Sequence, residues 1–204
     1  MKLGCFRRGV IRFISSIIYP VKIYGKENLP DGGSLIVSNH LSVIDCIYLV
    51  RANVKENYSI LAKKELFRKK IIAKTLKSFG AVPIDRDRPD VNSLLTVVRN
   101  LKNDEKVILF PEGTRNKVDA NKLQPLKEGV VFFALKAKKP IVPVMIYKKA
   151  KLFCRNKIII GKPFELSEYY GKKYTDDDMK KMECIVYDKM TEQYNLLKSK
   201  GRKD

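Results

Sequence analysis

His40 is the only histidine in the chain. An imidazole titrates near neutrality and is the usual general base, so base chemistry of that kind rests on this one ring. It stands in Ser38-Asn39-His40-Leu41-Ser42-Val43-Ile44-Asp45, directly after an apolar run. Positions five apart on a regular helix diverge by about 140°. With His40 in the turn before a helix and Asp45 in its first turn, the carboxylate can reach back to the ring. A carboxylate on one ring nitrogen fixes the tautomer and stabilises the imidazolium, leaving the other nitrogen free to take a proton. A substrate that brings its own hydroxyl then needs no protein nucleophile. Ser42-x-x-Asp45 is equally a capping box, which gives Asp45 a helix-end role; the two roles are compatible.

A second cluster, Phe110-Pro111-Glu112-Gly113-Thr114-Arg115, follows the apolar run Lys106-Val-Ile-Leu-Phe110. Gly113 lets the backbone approach an anion, Thr114 offers a hydroxyl, and Arg115 can grip a phosphate with two parallel hydrogen bonds. The same residues also make an ordinary turn with a surface arginine. Gly80 to Arg86 is a third extended segment that ends in an arginine, although Asp85 and Asp87 could simply pair with Arg86 and Arg88. Lys63 and Lys64 close a fourth run. Pro143 inside Ile141-Val-Pro-Val144 points to an edge strand or a bulge near a cleft.

These residues need elements to hold them. Beta-rich runs at 21–25, 34–39, 58–63, 81–84, 106–110, 141–147 and 157–161 alternate with helical spacing over 42–52, 65–79, 90–101 and 129–138. Thr175 is a candidate N-cap for a last amphipathic helix with Met179, Met182, Ile185, Val186, Met190, Tyr194 and Leu197 along one stripe. The alternation predicts one α/β domain with a mostly parallel central sheet flanked by helices, and sites in such sheets collect at the carboxyl ends of strands. The 204 residues suffice for one domain with a real core. Four cysteines, at 5, 46, 154 and 184, are too scattered for a zinc ribbon or a dense disulfide framework, which leaves reduced thiols as the simpler reading.

Lysine and arginine number 42 against 22 acids, a net charge of +20 that calls for a polyanionic partner. Residues 1–26 carry six cations and no acid, residues 63–77 seven cations and one acid, and residues 129–164 no acid at all. Apolar positions 3, 6, 10, 13, 14, 17 and 18 recur at helical spacing among N-terminal cations. That run is too short to span a bilayer and has no cleavage site after it. It suits a helix lying in the membrane interface, with a core helix as the plainer alternative. Residues 1–19 are therefore expected to be a membrane-associating segment and 20–204 the catalytic domain. Aromatics do not interleave with the basic runs as stacking platforms for nucleic acid would.

Taken in order, the segments resemble the 1-acylglycerol-3-phosphate acyltransferase family. Its N-H-x-x-x-x-D signature is matched from Asn39 to Asp45, its Gly-to-Arg block from Gly80 to Arg86, its F-P-E-G-T-R block from Phe110 to Arg115, and its V-P-[VI] stretch from Ile141 to Val144. Asn116 stands where a serine often follows, and Pro83 where an aromatic is common. The short N-terminus resembles that of small bacterial members on the cytoplasmic face of the inner membrane.

The resemblance implies acyl transfer from acyl-CoA or acyl carrier protein to the free hydroxyl of a lysophospholipid, forming phosphatidic acid when the acceptor is lysophosphatidic acid. It implies His40 as base and Asp45 as its partner. Gly113, Thr114 and Arg115 would hold the acceptor phosphate, with Arg86 and Lys63 assisting and Asn39 and Glu112 in support. It implies neither metal nor cofactor. The expected partners are the acyl donor, the acceptor lipid and an anionic membrane surface, with no nucleic acid. Another lysolipid or glycerol-3-phosphate as acceptor is the nearest alternative; a basic binding module without activity is more distant.

Overall fold

The computed structural model describes residues 13–52, 57–78, 80–85, 91–119 and 122–201. Arg86 and most of the expected segment 1–19 lie outside these. Seven strands form one sheet: β1 Val21–Tyr24, β2 Ser34–Ser38, β3 Tyr58–Lys63, β4 Ala81–Ile84, β5 Lys106–Leu109, β6 Ile141–Ile146 and β7 Asn156–Ile160. Their spatial order is β1-β7-β6-β2-β5-β3-β4. Every neighbouring pair is parallel except β6 and β7. The helices are α1 Asp45–Ala52, α2 Lys70–Ser78, α3 Val91–Lys102, α4 Gly129–Ala137 and α5 Asp176–Gly201.

The expected α/β architecture with a mostly parallel sheet is present, and its cause is visible in β2. All five residues of Ser34–Ser38 are buried, because helices cover both faces of the sheet. Leu35 and Val37 point to one side, into a cluster with Val97 and Leu101 of α3, Val130 and Phe133 of α4, and Met182 and Val186 of α5. Ile36 points to the other, with Leu49 and Val50 of α1 and Val142 and Val144 of β6. Lys106, at the start of β5, is fully buried and donates from Nζ to the carbonyls of Pro30 and Gly32.

Three expectations change. Pro143 does not mark an edge: β6 is an interior strand, buried along its whole length. It is tolerated there because its backbone polar edge faces the end of the β7 ladder. Its carbonyl accepts from Gly161 N at 2.8 Å, just past the last paired residue Ile160, so only one return bond is missing. Pro83 does lie on an edge strand, β4. The basic helix expected over 65–79 is divided into a 3₁₀ turn, Lys64–Arg68, and α2, with Lys69 extended between them. Both pieces share the i, i+3 spacing, so periodicity cannot see one redirecting residue. In α5, Met182, Val186, Met190, Tyr194 and Leu197 are buried as expected, but Ile185 is exposed. Thr175 caps that helix reciprocally with Asp178: Thr175 N donates to Asp178 Oδ2 at 3.0 Å and Asp178 N to Thr175 Oγ1 at 3.2 Å.

Candidate active site

Val37 stands opposite Leu109 in the parallel β2–β5 pair, so the chain leaves both strands side by side at their carboxyl ends. His40 follows β2, and Phe110 to Arg115 follow β5. Asn39 fixes the first of these turns. Its buried amide donates to Ile146 O at 3.0 Å and accepts from Ile146 N at 2.8 Å, tying the turn to the end of β6. Glu112 fixes the second turn to the first, accepting from His40 N at 2.9 Å and from Gln124 N at 3.4 Å. Burial pushes the Glu112 carboxyl above the usual glutamate range, against the pull of those two N–H donors; the Asp45 charge pushes the same way.

His40 Nδ1 lies 3.0 Å from Asp45 Oδ2. Asp45 is fully buried, and the same oxygen accepts from Leu41 N and Ser42 N, each at 2.6 Å. Ser42 Oγ in turn accepts from Ile44 N at 3.2 Å. The capping role and the imidazole contact therefore coexist on one carboxylate. With Nδ1 as the donor, the lone pair falls on Nε2, which no group among the described residues hydrogen-bonds. The Phe110 ring stacks on the imidazole at 4.0 Å between centroids and 22° between planes, and the His40 side chain is 12% exposed. The ring is thus held on one nitrogen and one face while an edge meets solvent.

Two concavities are lined by neighbours of this ring, one by the stacked Phe110 and the other by Leu41, the next residue in the chain. Phe110, Pro111 and Gly113 line a cavity of about 540 Å³ whose other walls include Leu61, Leu94 and Phe133. It is mostly apolar. Glu183 also lines it and is raised above the glutamate range by burial first and by Glu128 second. On the other side, Leu41, Ser42 and Val43 line a concavity of about 400 Å³ with Arg115, Asn116, Lys117 and Lys149. Three cations and a serine hydroxyl make it a fit for an anion.

Gly113 has φ of 74°, the left-handed region that favours glycine. Thr114 and Arg115 are exposed beside it. Lys63 is not brought in: it ends β3, lies 3.6 Å from Glu65, and lines neither concavity. Lys117 and Lys149 belong to none of the sequence blocks. Lys117 follows Arg115 by two residues, but Lys149 is far along the chain and is delivered only by the β6–β2 pairing. Asn116, where the family often has serine, does what a hydroxyl cannot. Its amide donates to Asp119 O and Lys122 O and accepts from Val118 N and Asp119 N, while its own N–H reaches His40 O at 2.7 Å. Among the described residues no three His, Cys, Asp or Glu side chains are grouped to hold a metal ion.

An acyltransferase family profile matches residues 20–147. The chain is 36% identical over 174 residues to the 1-acyl-sn-glycerol-3-phosphate acyltransferase of Bacillus subtilis, covering 80% of this chain and 83% of that protein. It is also 36% identical over 124 residues to the Helicobacter pylori protein of the same name, covering 60% of this chain and about half (52%) of that one. The crystal structure of the 1-acyl-sn-glycerophosphate acyltransferase from Thermotoga maritima shares the fold, with a TM-score of 0.67 at 24% identity over 94% of this chain and 81% of that one. The ring–carboxylate pair and the loop beside it thus stand on a shared scaffold, and the chain is a member of the acyltransferase family, in its 1-acyl-sn-glycerol-3-phosphate acyltransferase group.

Proposed function

We propose that the protein transfers a fatty acyl group from a thioester, acyl-CoA or acyl carrier protein, to the free hydroxyl of lysophosphatidic acid, forming phosphatidic acid. One observation carries this reading: a carboxylate-held imidazole stacks on Phe110, a wall of an apolar cavity, and is followed directly by Leu41, a wall of a basic concavity. The substrates have the same two ends, a phosphoryl group and a hydrocarbon chain. His40 Nε2 takes the proton of the acceptor hydroxyl. The oxygen attacks the thioester carbonyl, the carbon–sulfur bond breaks, and the imidazolium returns the proton to the departing thiolate. Asp45 holds the ring and offsets its charge. A positioned base contributes typically ~10²–10⁴-fold, so orientation of the two substrates supplies much of the remainder.

Arg115, Lys117 and Lys149 hold the acceptor phosphate, with Thr114 at the rim and Gly113 allowing close approach. The cavity walled by Leu61, Leu94 and Phe133 takes an acyl chain. Arg86 assists in holding the phosphate, and Asn39 and Glu112 are the ties that set the ring. The protein works at the cytoplasmic face of a membrane, where its lipid acceptor resides. Among the described residues no helix is long and apolar enough to cross a membrane.

The test is an assay of the purified protein with detergent-dispersed lysophosphatidic acid, a panel of other lysolipids and glycerol-3-phosphate, and one labelled acyl thioester. Lysophosphatidic acid is expected to give the highest kcat/KM, and His40→Ala to lose turnover while keeping its circular dichroism. Full activity in that variant rules out the general-base role; preference for another acceptor corrects the substrate.

A further inference from the structure

The loop between β6 and β7 exposes side chains that a soluble surface does not need. Leu152 is 61% and Phe153 70% exposed at its tip. Lys148, Lys149, Lys151 and Arg155 flank them, all exposed, in a stretch of sequence from 129 to 164 without a single acid. Phe153 has φ of 55°, a left-handed conformation that is unusual for an aromatic residue. Two backbone bonds hold it there: Phe153 N donates to Ile18 O at 2.7 Å and Cys154 N to Lys151 O at 3.3 Å.

The first of those bonds joins the loop to the helical residues 13–18, where Phe13 and Ile17 are 68% and 57% exposed. That helix is itself fastened to α1, because Arg51 donates to Tyr19 O at 2.8 Å and to Ser15 O at 3.4 Å. Ala150 and Tyr19 pack on the same small cluster as Leu41, the residue after His40. Lys149 lines the basic concavity with Ser42 and Val43, and Val43 is exposed. Outward apolar side chains, ringed by cations, thus form one face that runs to the mouth of the site.

We propose that this loop is a second membrane-contacting element: Leu152 and Phe153 enter the headgroup boundary of an anionic bilayer, the flanking cations meet its lipid phosphates, and the helix at 13–18 lies beside them. The partner is fixed by charge and polarity together. Anionic lipid offers negative headgroups above hydrocarbon, and a basic rim around an apolar tip matches both layers. Such docking sets the His40 mouth against the surface that holds the lipid acceptor. The inference rests on the lipid-acceptor reading above.

The chain has no tryptophan, so Phe153→Trp supplies a single reporter in the full-length protein. On vesicles of equimolar phosphatidylglycerol and phosphatidylcholine, its emission is expected to shift to the blue and to be quenched by bromine-labelled acyl chains. Neither change is expected on pure phosphatidylcholine. The double substitution Leu152→Asp/Phe153→Asp is expected to lower the vesicle partition coefficient at least tenfold. Its turnover of a short-chain lysophosphatidic acid, kept below its micelle concentration, should stay within twofold of the unaltered protein. Unchanged tryptophan emission on vesicles that sediment the protein would overturn the loop proposal and leave the membrane reading standing. Failure of the unaltered protein to sediment at all would overturn both, while short-chain turnover still reports acyl transfer separately. A shift on adding acyl carrier protein but not vesicles would assign the face to the acidic carrier instead.

Discussion

Asp45 Oδ2 serves three donors at once, the His40 ring and two backbone N–H groups. The carboxylate that shapes the turn therefore also orients the imidazole, and neither task can be altered without the other. The cations across the mouth are independent of this tie. Arg115→Ala is expected to raise KM for lysophosphatidic acid roughly tenfold with kcat nearly kept, because a phosphate is gripped in both ground and transition states; Lys149→Ala should do the same to a smaller degree. Steady-state kinetics with the acceptor varied check this, and a fall in kcat alone would remove the phosphate role. Glu112 gives a pH signature. Its carboxyl is raised in the fold, so the folded chain holds that proton more tightly than the unfolded chain does. Its contribution is greatest below the ordinary glutamate range, about 4.3, and declines as pH rises from there through the raised value. Relative to Glu112→Gln, which does not titrate, the unaltered protein should lose urea resistance across that window and level off above it. A constant difference between pH 4 and 7 would contradict the assignment.

At the scale of elements, the site is a junction of three strand ends. Asn39 ties the exit of β2 to the exit of β6, and Glu112 ties the exit of β5 to that of β2. Asn39→Ala leaves the N–H and the carbonyl of Ile146 buried without partners, at about 1–3 kcal/mol of stability. It also loosens the residue next to His40, so kcat should fall more than KM changes. Urea unfolding alongside kinetics checks both effects; unchanged stability would mean that water replaces the amide. Pro143 carries the complementary lesson. A proline sits safely in an interior strand when its lost donor faces the point where the neighbouring ladder ends.

Across the whole molecule, the apolar cavity draws its walls from distant parts of the chain: Leu61 from β3, Leu94 from α3, Phe133 from α4 and Glu183 from α5. Its depth therefore belongs to the packing of helices on one face of the sheet. Leu94→Trp should shorten it. Each methylene refused costs about 0.8 kcal/mol of transfer free energy, so the preference for long over short acyl thioesters should fall at least tenfold. Competition between two chain lengths measures this, and an unchanged ratio would place the acyl chain elsewhere.

Most of the elements, and the residues around the imidazole, are legible in the sequence alone. Strands 58–63 and 81–84, the cap at Thr175, the His40–Asp45 pair and the glycine–threonine–arginine loop are all legible, because each depends on a few neighbours and on a local period. The family followed from four such blocks in order. Tertiary structure alone decided which blocks meet. It delivered Lys149 to the mouth beside Arg115, buried Pro143 in mid-sheet, and set Phe153 beside Ile18. Strand order decides those encounters, and strand order is fixed by how the helices cover the two faces of the sheet. No local window of residues carries that information.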